Sequence, residues 1–111
     1  MGSSEQIRGL VGLGRRARGL LVGSRETRDG LRRGAVHLVL LARDGSRRDR
    51  QRLERVAREA GVPTREVGTR DDLGSWLGRG PVSVLGIRDA NLAAAVRAKV
   101  DGAATESEGG E

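Results

Sequence analysis

The chain has 111 residues, enough for one hydrophobic core of ordinary size and too few for two. It has no cysteine and a single histidine, which excludes disulfide frameworks, thiolate metal sites and cysteine nucleophiles and leaves ordinary zinc chemistry short of ligands. The formal charge of +6 hides an asymmetry: 21 basic residues face 11 acidic ones in the first 100 positions, an excess of +10, while Asp101, Glu106, Glu108 and Glu111 leave the remainder at −4.

Helical and strand-like patterns alternate along the chain. Ser3 with Gln6 forms a capping-box pattern, and Ile7, Leu10, Val11 and Gly14 follow at helical spacing, predicting a first helix to about Ala17. Leu20-Leu21-Val22 reads as a short strand closed by Gly23, and Ser24 as the cap of a second helix reaching about Arg33, with Gly34 as its stop. Val36 to Ala42 is the most apolar stretch, and its unbroken run suits a central strand buried on both faces. Asp44-Gly45-Ser46 turns into a third helix with Leu53, Val56, Ala57 and Ala60 inward, ended by Gly61 ahead of Pro63.

Thr64 to Val67 is short and polar, which predicts a strand near a sheet edge. Thr69 with Asp72 opens a fourth helix carrying Leu73, Trp76 and Leu77 on one face and ending at Gly78. Arg79-Gly80-Pro81 is a tight loop, Val82 to Ile87 an interior strand, and Asp89 the cap of a fifth helix packing Leu92, Ala95 and Val96 inward. The expected fold is a three-layer α-β-α sandwich: a four-stranded mixed sheet with helices on both faces, in a single domain over residues 1–100. Residues 101–111 read as an acidic, disordered tail.

The core must be aliphatic, since one tryptophan is the whole aromatic content. No apolar run approaches the roughly 18 residues needed to span a bilayer, and the first residues lack the regions of a secretion signal, so a cytoplasmic location without membrane partners is expected. A strongly cationic body attracts polyanions, which puts nucleic acid first among partners. Most of the arginines nevertheless read as ordinary solubilising side chains; on the third helix Arg47 to Arg58 mix with Asp49, Glu54 and Glu59 as a solvated face, and no binding site is placed there.

Several other signals carry no chemistry. Gly9, Gly12 and Gly14 fall inside a helical pattern rather than at a strand-to-helix turn, so they form no phosphate loop. Trp76 shares its face with Leu73 and Leu77 and reads as core, His37 as structural or edge-exposed, and Asp71-Asp72 as complements of a helix dipole. No catalytic constellation, metal site, cofactor or small-molecule substrate is expected.

Five ordered segments carry a family resemblance: Leu10 to Ala17, Leu21-Val22-Gly23 with its following helix to Arg33-Gly34, Val36 to Asp44, Gly61-Val62-Pro63, and Val67 to Gly74. Together they resemble the ribosomal L-seven-Ae/thirty-e family, most nearly its small bacterial YlxQ-type members. The resemblance implies a non-catalytic protein that binds kink-turn or internally looped RNA, with ribosomal RNA or a ribosomal particle as partner. By the family pattern the contact is made by Gly23, Ser24, Arg25, Glu26 and Arg28 at the start of the second helix. It is completed by Arg79, Gly80, Pro81 and Val82 in the loop before the last strand, and the two segments should lie side by side at one end of the sheet.

In chemical terms, Gly23 would let backbone N–H groups approach RNA, Arg25 would fork onto a guanine edge or a phosphate, and Glu26 would accept from guanine N–H groups. Arg79 would meet phosphate, and Pro81 and Val82 an unstacked base. Two positions depart from the pattern: Asp29 stands where kink-turn binders carry a lysine, and Arg18-Gly19 reverses the family's usual Gly-Lys. Asp29 keeps a second reading in view, a protein-interaction module on the ribosome that has lost kink-turn affinity. A third is a substrate-recognition domain related to those of RNA methyltransferases, which predicts no methyl transfer by this chain itself.

Overall fold

The computed structural model describes residues 2–109, with side chains from Glu5 to Gly102. Its elements are α1 (Gly2–Arg16), β1 (Leu20–Val22), α2 (Ser24–Arg32), β2 (Leu38–Ala42), α3 (Arg47–Ala60), β3 (Thr64–Gly68), α4 (Arg70–Trp76), β4 (Val84–Ile87) and α5 (Ala90–Gly109). The four strands form one sheet in the order β1-β4-β2-β3. β4 is antiparallel to β1 and β2, and β2 is parallel to the edge strand β3. This is the mixed α/β sandwich expected from the sequence.

Alternation along the two interior strands divides the core. Leu38, Leu40 and Ala42 of β2, with Leu85 and Ile87 of β4, face α1, α4 and α5, where Ile7, Val11, Leu73, Leu77, Ala93 and Val96 are buried against them. Val39, Leu41 and Val84 face the opposite way, onto Leu31 of α2 and Leu53, Val56 and Ala57 of α3. Because both faces are covered, every residue of β2 and β4 is buried, which is why these strands lack polar positions. Trp76 is half-buried against the first of these clusters, a packing residue as expected. Each fully buried Leu, Ile or Val side chain contributes roughly 1.5–3 kcal/mol of apolar burial.

Helix ends follow local chemistry. Ser46 caps α3 by accepting from Asp49 N–H at 3.3 Å, and Gly61 closes it in the left-handed conformation, φ 72°. Thr69 and Asp72 form a full capping box at α4, each side chain accepting a backbone N–H at 3.0 Å. Asp89 Oδ1 accepts from Leu92 N–H at 2.8 Å at the start of α5. The proposed Ser3–Gln6 box involves a side chain outside those described.

Several boundaries and faces differ from the sequence expectation. Val36 and His37 lie outside β2, because β4 ends at Ile87 and offers no ladder partner upstream of Leu38; His37 is exposed, and only its N–H joins, donating to Ile87 O at 2.8 Å. Val82 and Ser83 lie outside β4, since Val82 N–H turns to Arg70 O at 3.0 Å instead. Ala60 is exposed, and in α5 the inward small residue is Ala93 rather than Ala95. α5 also runs through the segment expected to be disordered, as far as Gly109. Asp101, which looked like the beginning of that tail, accepts from Arg65 Nε of β3 at 2.8 Å and lies 3.8 Å from Arg97.

Candidate functional site

The sheet topology fixes which connections can meet. β1, β2 and β3 leave the sheet at the end where β4 begins, so the starts of α2, α3 and α4 and the loop after α4 gather there. Val22 pairs with Leu85, and Gly23 N–H donates to Val84 O at 2.9 Å. The start of α2 and the end of the Arg79–Val82 segment are therefore neighbours, as the sequence argument required.

Gly23 is the N-cap of α2, with φ 101° and ψ 161°, a backbone conformation that favours glycine. This corrects the assignment of Ser24 as cap. Ser24 is the first helical residue, and its Oγ donates to Asp49 Oδ1 of α3 at 2.6 Å instead of serving its own helix. Among the described residues no side chain caps α2, and the first of its N–H groups to reach a carbonyl is that of Thr27, on Gly23 O at 3.1 Å. α2 thus differs from α3, α4 and α5, each of which has a side-chain cap. Its first-turn amides carry the positive end of the helix dipole toward solvent.

Arg25 and Glu26 are exposed beside these amides, while Arg28 is half-buried. Arg28 Nε is buried without an acceptor among the described residues, as is Thr27 Oγ1 on the inner face of α2. The room for Thr27 comes from Gly86 of β4, where an added Cβ would stand 3.0 Å from Thr27 Cγ2. Asp29 is exposed, and among the described residues its carboxylate makes only a long contact with Arg32, 4.0 Å, so its negative charge is presented on the outer surface of α2.

The loop after α4 folds back along that helix. Arg79 N–H donates to Gly74 O at 2.9 Å, and a Cβ at Gly74 would lie 2.1 Å from Gly80 O, so this approach exists only because residue 74 has no side chain. Arg79, Gly80 and Pro81 are exposed. Val82 is not: it is 5% exposed and belongs to the core cluster on the α1–α4–α5 side. Of the two apolar side chains expected to meet a base, only Pro81 is available. Val82 N–H donates to Arg70 O, and the Val82 side chain packs inward as the start of an interior strand would, not outward as the end of the loop.

The structure also adds groups that sequence reasoning left out. Ser46, Asp49 and Arg50 of the third helix and its cap share a small cleft with Ser83 and Val84, and Asp49 reaches Ser24 of α2. Asp44 Oδ1 accepts from Arg70 N–H at 2.8 Å, and Arg43 N–H donates to Gly68 O at 2.6 Å, tying the β2–α3 turn to the start of α4. The only signal for Asp49 was its place in the first turn of a helix, and the Ser24 contact is 25 residues away. The mixed charges of the third helix gave no reason to bring it to this end.

Comparison with known proteins gives these features a family. A protein of unknown function from Bacillus halodurans C has the same fold with a TM-score of 0.84 and 30% identity, over 86% of this chain and 97% of that one. The Giardia lamblia 15.5kD RNA binding protein has a TM-score of 0.79 at 24% identity, over 92% of this chain and 90% of that one, a likeness of fold. No curated protein sequence matches. Residues 5–97 match a family-wide sequence pattern, and the chain belongs to the Ribosomal protein L7Ae/L30e/S12e/Gadd45 family.

Proposed function

We propose that this protein is a non-catalytic binder of structured RNA, of kink-turn-like or internally looped form, and that it works on ribosomal RNA or a ribosomal particle. The observation that carries the reading is the uncapped amide surface of α2, set beside the loop after α4 in a chain of this family. Bare helical N–H groups bind phosphate without a dedicated cation. Arg25 adds a fork for a guanine edge, Glu26 an acceptor that selects guanine N–H groups, and Arg79 a phosphate contact. Arg28, Ser24 and Gly23 hold the backbone and the flank of the same surface, and Gly80 and Pro81 give the loop a flat face for an unstacked base.

Fluorescence anisotropy with a kink-turn RNA, an internally looped RNA and a plain duplex tests this directly. Affinity should fall with salt as phosphate contacts release counterions, and the bent RNAs should be preferred. Arg25→Ala and Arg79→Ala should each cost about 1–3 kcal/mol if the guanidinium grips a base and less if only phosphate, while Arg55→Ala on α3 should change little. Equal and weak binding of all three RNAs would refute the reading. It would favour instead the protein-interaction module, for which the exposed Asp29 on α2 is the specific argument.

A further inference from the structure

The end of the sheet opposite the candidate site has a cationic cleft of its own. Three connections meet there: Arg18–Gly19 between α1 and β1, Ala35 between α2 and β2, and Arg88–Asp89 between β4 and α5. Arg88 N–H donates to Gly19 O at 2.8 Å and His37 N–H to Ile87 O at 2.8 Å, which laces the three together. The open cleft they enclose, about 370 Å³, is lined by Arg18, Gly19, Ala35, Arg88 and Asp89.

Both guanidinium groups are exposed, and among the described residues neither has a carboxylate within 4.0 Å. Asp89 shares the cleft, but its Oδ1 accepts from Leu92 N–H to cap α5. Arg16 and Arg33, at the ends of α1 and α2, add to the field and are explained by the helix dipoles they complement. Arg88 has no such explanation, because it precedes a helix N-terminus, where a cation is unfavourable.

Arg18 is still less explained by structure alone. Among the described residues it is the one non-glycine with positive φ, 57°. It occupies the left-handed stop position of α1, with Arg18 N–H to Arg15 O at 3.1 Å and Gly19 N–H to Gly14 O at 2.7 Å. Glycine fills that position without strain, and here the glycine comes one residue later. A strained backbone thus holds a long cation at the rim of a cleft walled by a second, unpaired cation.

Arg18 and Arg88 line one open cleft with the small residues Gly19 and Ala35, and two guanidinium forks sharing a cleft suit the non-bridging oxygens of a phosphodiester. We propose that this cleft is a second phosphate site, which takes the backbone of a separate RNA segment and makes the protein a bridge between two RNA strands. The proposal rests on the RNA-binding reading above.

The test uses the full chain with two RNA hairpins, one bearing a donor and one an acceptor fluorophore. Anisotropy reports binding of either hairpin alone, and energy transfer reports bridging. The variants are Arg18→Gly, which relaxes the backbone as it removes the charge, Arg88→Gln, and the two combined. The double variant should lose bridging at least tenfold, keep its affinity for a single hairpin within about threefold, and show a bridging salt slope shallower by about one. Inorganic phosphate at millimolar concentration should not replace the second hairpin in the wild type; if it abolishes bridging while single-hairpin binding is intact, the cleft takes free phosphate and the proposal is overturned. Bridging by the double variant equal to that of the wild type also overturns it. Loss of single-hairpin affinity in parallel does so too, by making the cleft the primary site. Vesicles of anionic lipid bound by the wild type and released by the double variant, with bridging unchanged, assign the cleft to a lipid surface instead. A wild-type protein that binds no RNA refutes the function reading itself.

Discussion

Replacing Gly74 with alanine separates the packing of the α4 loop from everything else in the site. The new Cβ would stand 2.1 Å from Gly80 O and 2.7 Å from Gly80 C, so the loop must retreat by roughly 1.3 Å to reach the 3.4 Å at which ordinary contact begins. Overpacking of this kind costs about 1–3 kcal/mol, and the better helix propensity of alanine returns about 1 kcal/mol, leaving a net loss of up to about 2 kcal/mol. In a domain of this size that lowers the Tm by up to roughly 12 °C. Gly9→Ala is the control: nothing lies within 4 Å of its added Cβ, so the propensity term acts alone and the Tm should rise by a few degrees. Thermal denaturation followed by circular dichroism measures both, and RNA anisotropy reads the displaced loop, with affinity expected to fall severalfold for Gly74→Ala only. If Gly74→Ala is as stable as the wild type and binds RNA unchanged, the loop is neither held by that contact nor part of the interface.

Other perturbations address single bonds. Ser24→Ala removes the hydroxyl that meets Asp49 Oδ1 at 2.6 Å, and urea denaturation should register a loss of about 1 kcal/mol, because the part-buried carboxylate loses a donor. Asp29→Lys should strengthen kink-turn binding in the anisotropy assay by reversing a repulsive charge on α2, and unchanged affinity would place the RNA away from that helix. Arg18→Gly should raise stability by about 0.5–1 kcal/mol, since relief of the left-handed strain exceeds the added freedom of the unfolded chain. Asp72 is held below the ordinary carboxylate range chiefly by the Thr69 backbone N–H, then by the Thr69 hydroxyl and the field of Arg43. Its folded value lies below the unfolded one, so the cap is at full strength above about pH 4 and is lost as the pH falls through the folded value. The protection of amides in α4 and at Val82, taken relative to their intrinsic exchange rates, should fall over that acidic window and stay flat above it.

Where a local pattern repeats over several residues, the sequence reads correctly: β1, α3 with its glycine stop, the Thr69–Asp72 box and the buried run of β2 all lie within a residue or two of expectation. The errors have a common cause, competition from groups distant in sequence. Ser24 fits a helix cap by composition, yet Asp49 takes its hydroxyl and leaves Gly23 to begin the helix. Val82 fits both the end of a loop and the start of an interior strand, and with its N–H held by the carbonyl of Arg70 its side chain lies in the core and leaves the loop surface. In α5 the phase of small residues is ambiguous among several alanines, and only packing against the sheet selects Ala93 over Ala95. The pairing of the two expected site segments was legible through the family pattern, whereas the cleft joining Arg18, Ala35 and Arg88 draws on three connections that no local motif links.

The strand that joins the sheet is the last to be synthesised. β4 lies between β1 and β2, so until Ile87 has left the ribosome β1 has no neighbour and the parallel β2–β3 pair has no third strand. Gly23 N–H, which orients the start of α2, waits on Val84 O. A chain arrested before residue 84 therefore holds most of the arginines but neither organised end, and RNA selectivity should switch on abruptly as the final strand inserts rather than build up during translation.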